Sequence, residues 1–346
     1  MTRTVKWLAL LVGRGFGDRG RHADSPLDIP PLGWRDILIR VWRNARADNL
    51  NVLAAGIAFY TFLALLPLIV STTMIYGLVS TPEQIVEHVG KLIVIVPAAA
   101  QELVTRRVVE VVTADRGGPL ALLLALLLTL YGGARGARSV VAALNTIYGE
   151  DDEPRFVRRW ALPFALALGS ASLMLLALVT ITLFGYVEQL MPESTPLGWF
   201  AARLGFWLLV TIGIGAGSAA LYRYGPARRH ARWIWILPGA LAATVLWLAA
   251  TFAFGVYLAN FGRYDLTYGS LAAVVILQLW IYLSAFILLL GAKLNAEIEL
   301  QTTRDTTIGA PRKPGYRRAA SADQVGEIPT LEIDIPAADP GPSRDK

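Results

Sequence analysis

The chain of 346 residues has no cysteine and three histidines. The first absence excludes disulfides, thiolate nucleophiles and cysteine-held zinc or iron–sulfur centres. The second argues against a histidine-rich metal centre, because His22, His88 and His230 lie far apart in sequence. Charge is scarce too: 17% of residues are charged, against roughly 25% in a typical soluble domain. No Gly-rich loop ends in Lys-Ser or Lys-Thr, so ATP-driven work in cis has no phosphate cradle. The extended acidic run Glu150-Asp151-Asp152-Glu153 has neither a metal-binding spacing nor a nearby histidine. Metal ligands and a cofactor are therefore not expected, and no constellation supports hydrolysis.

Apolar residues fill the space left by these absences, at 55% of the chain. Asn51 to Val79 carries no charged side chain and exceeds the about 20 residues that a helix needs to cross a bilayer. Similar runs give six expected spans, near 52–79, 119–139, 161–187, 199–221, 234–258 and 269–292. Backbone groups in lipid must be satisfied within their own segment. The fold class is accordingly all-α, a polytopic membrane helix bundle with six transmembrane helices plus amphipathic interfacial helices.

The positive-inside rule orients the bundle. Arg155, Arg158 and Arg159, then Arg223, Arg228, Arg229 and Arg232, then Lys293, Arg304, Arg312 and Lys313 fall on the side of both termini. The short opposite loops carry Glu188 and Glu193, then Arg263 with Asp265, and Arg203 runs against the trend without reversing it. Both termini are expected in the cytoplasm. The pI near 9.6 then reflects arginines flanking spans and not a nucleic-acid surface. The interleaved YRYGPARRHARWIW at 222–235 reads the same way, as an interfacial segment.

Residues 1–32 read as a cytoplasmic tail, poorly ordered to about residue 30. Arg3 and Lys6 precede a short apolar run without a small-x-small cleavage site, unlike a signal peptide. Residues 33–300 form the membrane domain. From Gly33 to Ala47, Trp34, Ile37, Leu38, Val41 and Trp42 recur at helical spacing among Arg35, Arg40, Arg43 and Arg46, the pattern of a basic amphipathic helix at the interface. Asp48 or Asn49 can cap the next helix. The outside segment 80–118 carries two apolar faces broken at Pro97, which predicts two helices lying on the outer surface or capping the bundle. The proline-punctuated tail 301–346 has too little apolar surface to offset its ordering entropy and is expected to be disordered.

The stretch YGGARGARSVVAALNTIY holds the candidate headgroup site: Arg135, Arg138, Gly132, Gly133, Gly136 and Asn145. Arg135 and Arg138 share a helix face, and the small residues beside them admit a neighbouring helix or a lipid phosphate. The alternative counts about 20 residues from Pro119, which brings both arginines to the interface as snorkelling anchors. An outer-mouth cluster, Asn260, Arg263, Tyr264 and Tyr268, can also be ordinary aromatic belt and solvated charge. The GIGAGSA strip with Gly213, Gly215 and Gly217 reads as close helix packing. Lys293 and Glu297, four apart, read as a surface pair worth little.

Asp48 to Leu68, Asn145 to Tyr148, Pro238-Gly239-Ala240, and Tyr268 through Asn295 resemble the YihY/virulence factor BrkB family over about residues 32–300, with Lys293 departing from the pattern. The resemblance implies a bacterial inner-membrane protein. The family has carried the labels ribonuclease BN and virulence factor, and members have been connected with lipid handling in the envelope. The leading expectation is a protein that translocates or hands over a lipid or other amphiphile, with anionic membrane lipids and envelope proteins as partners. A non-transporting scaffold and a small-solute exporter are the alternatives. A ribonuclease is disfavoured, since no metal site or acid–base pair is legible.

Overall fold

The computed structural model describes residues 19–78, 80–92, 98–113, 118–150, 196–261 and 270–329. Among these the architecture is helical, and one isolated bridge, Ala231 to Thr307, is the extent of β pairing. In chain order the helices are α1 (Pro31–Ala47), α2 (Leu50–Tyr76), α3 (Pro82–Leu92), α4 (Ala98–Thr113), α5 (Gly118–Tyr148), α6 (Pro196–Tyr224), α7 (Trp233–Phe261), α8 (Ser270–Glu299) and the short α9 (Ala320–Asp323).

Among the described residues four helices are long and apolar enough to cross a bilayer: Leu50–Tyr76, Leu120–Tyr148, Trp233–Leu258 and Ala272–Glu299. They coincide with four of the expected spans. The expected span 199–221 falls within α6, and 161–187 lies outside the described residues. Helices α5 and α8 run past the expected ends at 139 and 292. Their last turns carry polar side chains bonded within the protein, among them Asn145 to the Ala227 N–H and Glu299 to Arg228.

Helix α8 is the centre of the bundle, packed against α1, α2, α4, α5, α7 and α9. The main core joins Leu50, Ala54 and Ile57 of α2 to Leu144 and Ile147 of α5, Tyr222 of α6, Ile236 of α7 and Leu289 of α8. At the α7–α8 crossing the backbones nearly touch. A Cβ added to Gly239 would fall on the Gly291 carbonyl oxygen, and one added to Gly291 would lie 2.6 Å from the Gly239 oxygen. Asn295 braces this crossing: its Nδ2 donates to the Ile236 carbonyl at 2.9 Å and its Oδ1 accepts from the Gly239 N–H at 2.7 Å. The GIGAGSA strip is different. A Cβ at Gly215 would meet Thr244 Oγ1 at 3.3 Å, whereas Gly213 and Gly217 have open space.

Helices α3 and α4 cap the far end of α2. Ile85 and Val89 of α3 and Val104 and Val108 of α4 close over Ile69 and Tyr76. The buried Tyr76 hydroxyl and His88 Nδ1 are 2.8 Å apart.

The disordered-tail expectation fails for residues 301–329. Gln301, Thr302 and Thr306 are fully buried. Thr303 N–H donates to the Arg21 carbonyl at 2.8 Å, Gly326 N–H to the Leu300 carbonyl at 2.8 Å, and Arg232 N–H to the Thr306 carbonyl at 2.9 Å. Arg317, 4% exposed, donates to the carbonyls of Thr303, Arg304 and Arg312 among others. This segment gains order from polar satisfaction more than from apolar area, which is why a hydrophobicity argument passes it over. Residues 19–30 belong to the same cap: Ala23 and Ile29 pack with Ile37, Val41, Trp235 and Ile298. Residues 19–30 are therefore ordered, against the expectation of a poorly ordered tail reaching about residue 30, and residues 1–18 lie outside the described residues.

Helix α1 also rotates away from its expected orientation. Ile37, Val41, Asp36 and Arg40 face inward, while Leu38 and Trp42 are 57% and 67% exposed beside exposed Arg35, Arg43 and Arg46. Neither expected cap forms. Asn49 takes the left-handed conformation at φ 51° without a side-chain cap bond, and Asp48 turns to Lys293 at 2.8 Å.

Candidate functional site

Two polar arrangements stand out, and they differ in what they can do. The first lies in the cap, where α1, α8 and the chain after Glu299 meet. Glu297, fully buried, accepts from Arg40 Nε at 2.8 Å and Asn44 Nδ2 at 2.7 Å, with Lys293 Nζ at 3.3 Å. The Arg40 guanidinium also donates to Gln301 Oε1 at 2.7 Å and to the Glu297 carbonyl at 3.0 Å. Two residues on, Arg228 grips both oxygens of Glu299 at 2.9 and 2.7 Å and lies 4.0 Å over the Tyr148 ring. Thr306 Oγ1 donates to Glu299 at 2.9 Å. Burial works against the Arg228 charge, but Glu299 outweighs it and holds the guanidinium firmly protonated. The Lys293–Glu297 pair is thus interior and part of a network, not a weak surface contact. Every charge in it has a partner, so its role is to fix α8 to the cap.

The second arrangement is on α5. Three contacts set its antiparallel register with α2: Gly132 against Ala64, Gly136 against Thr61, and Ser139 against Gly56. A Cβ at Gly132 would stand 3.0 Å from Ala64 Cα, so this glycine serves a close helix approach. Gly136 leaves 3.8 Å to Thr61, and Gly133 is half-buried. Ser71 and Thr129 share a hydrogen bond at 3.1 Å farther along the same seam.

Arg135 and Arg138 project beside this seam. Thr61 stands eleven residues after Leu50, which puts Arg135 about 16 Å along α2 from its start at 1.5 Å per residue. Arg135 is exposed, donates to the Tyr131 hydroxyl at 2.9 Å, and lies 5.2 Å from that ring's centroid. Tyr131 is one turn farther from the cap, so the guanidinium reaches away from the polar end. Arg138 is half-buried and donates to the Ala134 carbonyl at 3.3 Å, also away from the cap. Counting from Pro119 brought both arginines to the interface. Helix α5 instead continues to Tyr148, which lies in the cap network, and the arginines sit well inside its length.

Asn145 joins neither arginine. Its Oδ1 accepts from the Ala227 N–H at 2.8 Å and holds the α6–α7 connection. Asn260 lies in the last turn of α7, and Arg263, Tyr264 and Tyr268 lie outside the described residues. Tyr131, the partner of Arg135, went unremarked in the sequence although its spacing of four is a helical signal. Among the described residues no three His, Asp or Glu side chains group as metal ligands.

Residues 41–315 match the model of the family described as Virulence factor BrkB. A "UPF0761 membrane protein" of Xanthomonas oryzae is 32% identical over 275 residues, covering 75% of this chain and 59% of that protein. One from Xanthomonas axonopodis is 32% identical over 293 residues, covering 80% and 64%. The "Putative ribonuclease-like protein YfkH" of Bacillus subtilis is 25% identical over 251 residues, covering 70% and 88%. The chain thus spans about three fifths of the length of these Xanthomonas relatives. No solved structure matches.

Proposed function

The chain belongs to the virulence factor BrkB family, and from that membership we propose that it handles a lipid or similar amphiphile in the bacterial inner membrane, moving it across or handing it onward. The observation that carries this reading is the depth and direction of Arg135. A cation well inside a span costs about 2.5–3.5 kcal/mol on insertion scales and is retained for a partner or a pathway. An arginine serving only as an anchor extends toward the nearer headgroup layer. Arg135 instead reaches toward Tyr131, away from the cap. Its guanidinium offers a planar fork that fits a phosphate through two parallel hydrogen bonds. Arg138, one turn nearer the cap, is a second cation on the same face, so a headgroup can pass from one to the other.

In this reading both termini and the polar cap are cytoplasmic. The exposed face of α1, with Trp42 and Leu38 among Arg35, Arg43 and Arg46, rests on anionic headgroups. No cofactor or nucleic acid takes part.

The test is native mass spectrometry of lipids that co-purify in mild detergent, comparing the parent with an Arg135→Ala/Arg138→Ala variant of equal thermal stability. A particular anionic lipid retained by the parent and lost from the variant supports the reading. The same bulk-lipid mixture on both would make the arginines anchors and end it.

A further inference from the structure

Among the described residues Arg223, at the cap end of α6, has no counter-anion. The Arg223 guanidinium carbon is 4.4 Å from the Trp233 ring centroid and 5.5 Å from that of Tyr224. Tyr224 stands edge-on to Trp233 and to His230, with centroids 6.3 and 5.1 Å apart. His230 Nδ1 is 2.9 Å from the Arg223 carbonyl, which can only accept, so this nitrogen carries a proton and fixes the ring in place.

The neighbouring arginines are committed. Arg228 pairs with Glu299, Arg229 faces Asp305 at 3.8 Å, and Arg232 donates to the Asp305 carbonyl at 2.6 Å. Among the described residues Arg223 has no carboxylate partner. Its Nε and Nη1 are enclosed without a hydrogen-bond partner, which leaves Nη2 as the outward nitrogen. Stacking on aromatic faces offsets part of the cost of enclosing a cation, but it satisfies no N–H.

The surroundings indicate what the missing anion carries. Tyr224 and Trp233 are 44% and 45% exposed, and Ile234, Leu237 and Leu241 continue an exposed apolar track down α7. A phosphate held at Arg223 therefore has an acyl-sized track running from it along the span. We propose that Arg223, walled by Tyr224 and Trp233, binds the phosphate of an anionic phospholipid whose chain lies against Ile234, Leu237 and Leu241. This site is independent of the α5 arginines. It holds a resident lipid at the α6–α7 junction and is not a step on their path.

The test titrates phosphatidylglycerol, phosphatidylcholine and inorganic phosphate onto delipidated protein and counts bound adducts by native mass spectrometry. Parent, Arg223→Gln, Arg223→Lys and Arg135→Ala/Arg138→Ala are compared. A charge-assisted hydrogen bond is worth enough that Arg223→Gln should bind its tightest phosphatidylglycerol about tenfold more weakly or worse. Arg223→Lys, which keeps the charge but loses the planar guanidinium that lies against Trp233 and Tyr224, should lose severalfold, and it serves alone if the glutamine variant does not fold. Phosphatidylcholine binding should not change in either variant. The α5 double variant should keep this adduct, so the two proposals can fail separately. Unchanged phosphatidylglycerol binding in the folded Arg223 variants overturns the site. Displacement of the lipid by millimolar inorganic phosphate would assign the site to the free anion and overturn the lipid.

Discussion

Replacing Glu297 by glutamine removes a carboxylate that three side chains share. Glu297 is fully buried and receives Arg40 at 2.8 Å, Asn44 at 2.7 Å and Lys293 at 3.3 Å. In the variant Lys293 keeps Asp48 at 2.8 Å, and Arg40 keeps Gln301 Oε1 at 2.7 Å. Both cations stay enclosed with half their compensation gone. Breaking a buried pair by removing one partner costs about 3–5 kcal/mol. The surviving acceptors place Glu297→Gln near the lower end, at about 3 kcal/mol, and Arg40→Met at a similar loss. Because the two act on one interaction, Arg40→Met/Glu297→Gln should cost less than the sum of its singles by at least about 1 kcal/mol. The assay is equilibrium unfolding in mixed micelles followed by tryptophan fluorescence, with all four proteins in one cycle. A loss below about 1 kcal/mol for Glu297→Gln is the value of an exposed pair and would refute the interior network.

Three further outcomes follow from the packing and the cap. Gly239→Ala should lower the thermal midpoint in detergent strongly, since its Cβ falls on the Gly291 carbonyl and Asn295, whereas Gly213→Ala, with open space, should be neutral or slightly stabilising; equal midpoints would contradict the α7–α8 contact. Deleting residues 301–346 should expose Arg19 and Arg21 to trypsin, because Gln301 Nε2 holds the Arg19 carbonyl at 2.6 Å and Thr303 holds that of Arg21; unchanged cleavage would contradict the cap. Burial pushes the Asp305 carboxyl up, but bonds from Thr307 and Arg312 outweigh it and hold it below the ordinary 3.8. A depressed carboxylate stabilises fully above its unfolded value and loses that contribution as pH falls through the folded one. Protease resistance of the 303–318 segment should therefore hold above about pH 4 and decline below it in the parent, and Asp305→Asn should flatten that decline; identical profiles would remove Asp305 from the effect.

How much of this was legible in the sequence depends on the physics involved. Spans such as Leu50–Tyr76 and Trp233–Leu258 follow from uncharged length, since lipid admits little else. Helices α3 and α4 were legible as two apolar faces, but that they cap the bundle, seated on Ile69 and Tyr76, and do not merely lie on the outer surface was not. The cap was missed because its partners are distant in sequence: Arg40 to Gln301, and Arg21 to Gly326. A window that weighs apolar content sees only polar residues there and reads disorder. Two buried glutamates, Glu297 and Glu299, closing an apolar span were the available signal. For the α5 site, the residues and their spacing were readable, but their depth was not. It depends on Gly136 meeting Thr61 and on α5 running to Tyr148.

The central claim is that the bundle moves or hands over an amphiphile through Arg135 and Arg138, and its most direct measurement uses proteoliposomes. Parent and Arg135→Ala/Arg138→Ala protein would be reconstituted at equal density in phosphatidylglycerol-containing vesicles. Inter-leaflet movement of a fluorescent anionic lipid would be read by dithionite quenching, and its transfer to acceptor vesicles by dequenching. The account predicts that the parent accelerates at least one of the two processes and that the variant falls to the protein-free rate. Parent vesicles indistinguishable from protein-free ones in both readouts, or a variant as fast as the parent, would contradict it.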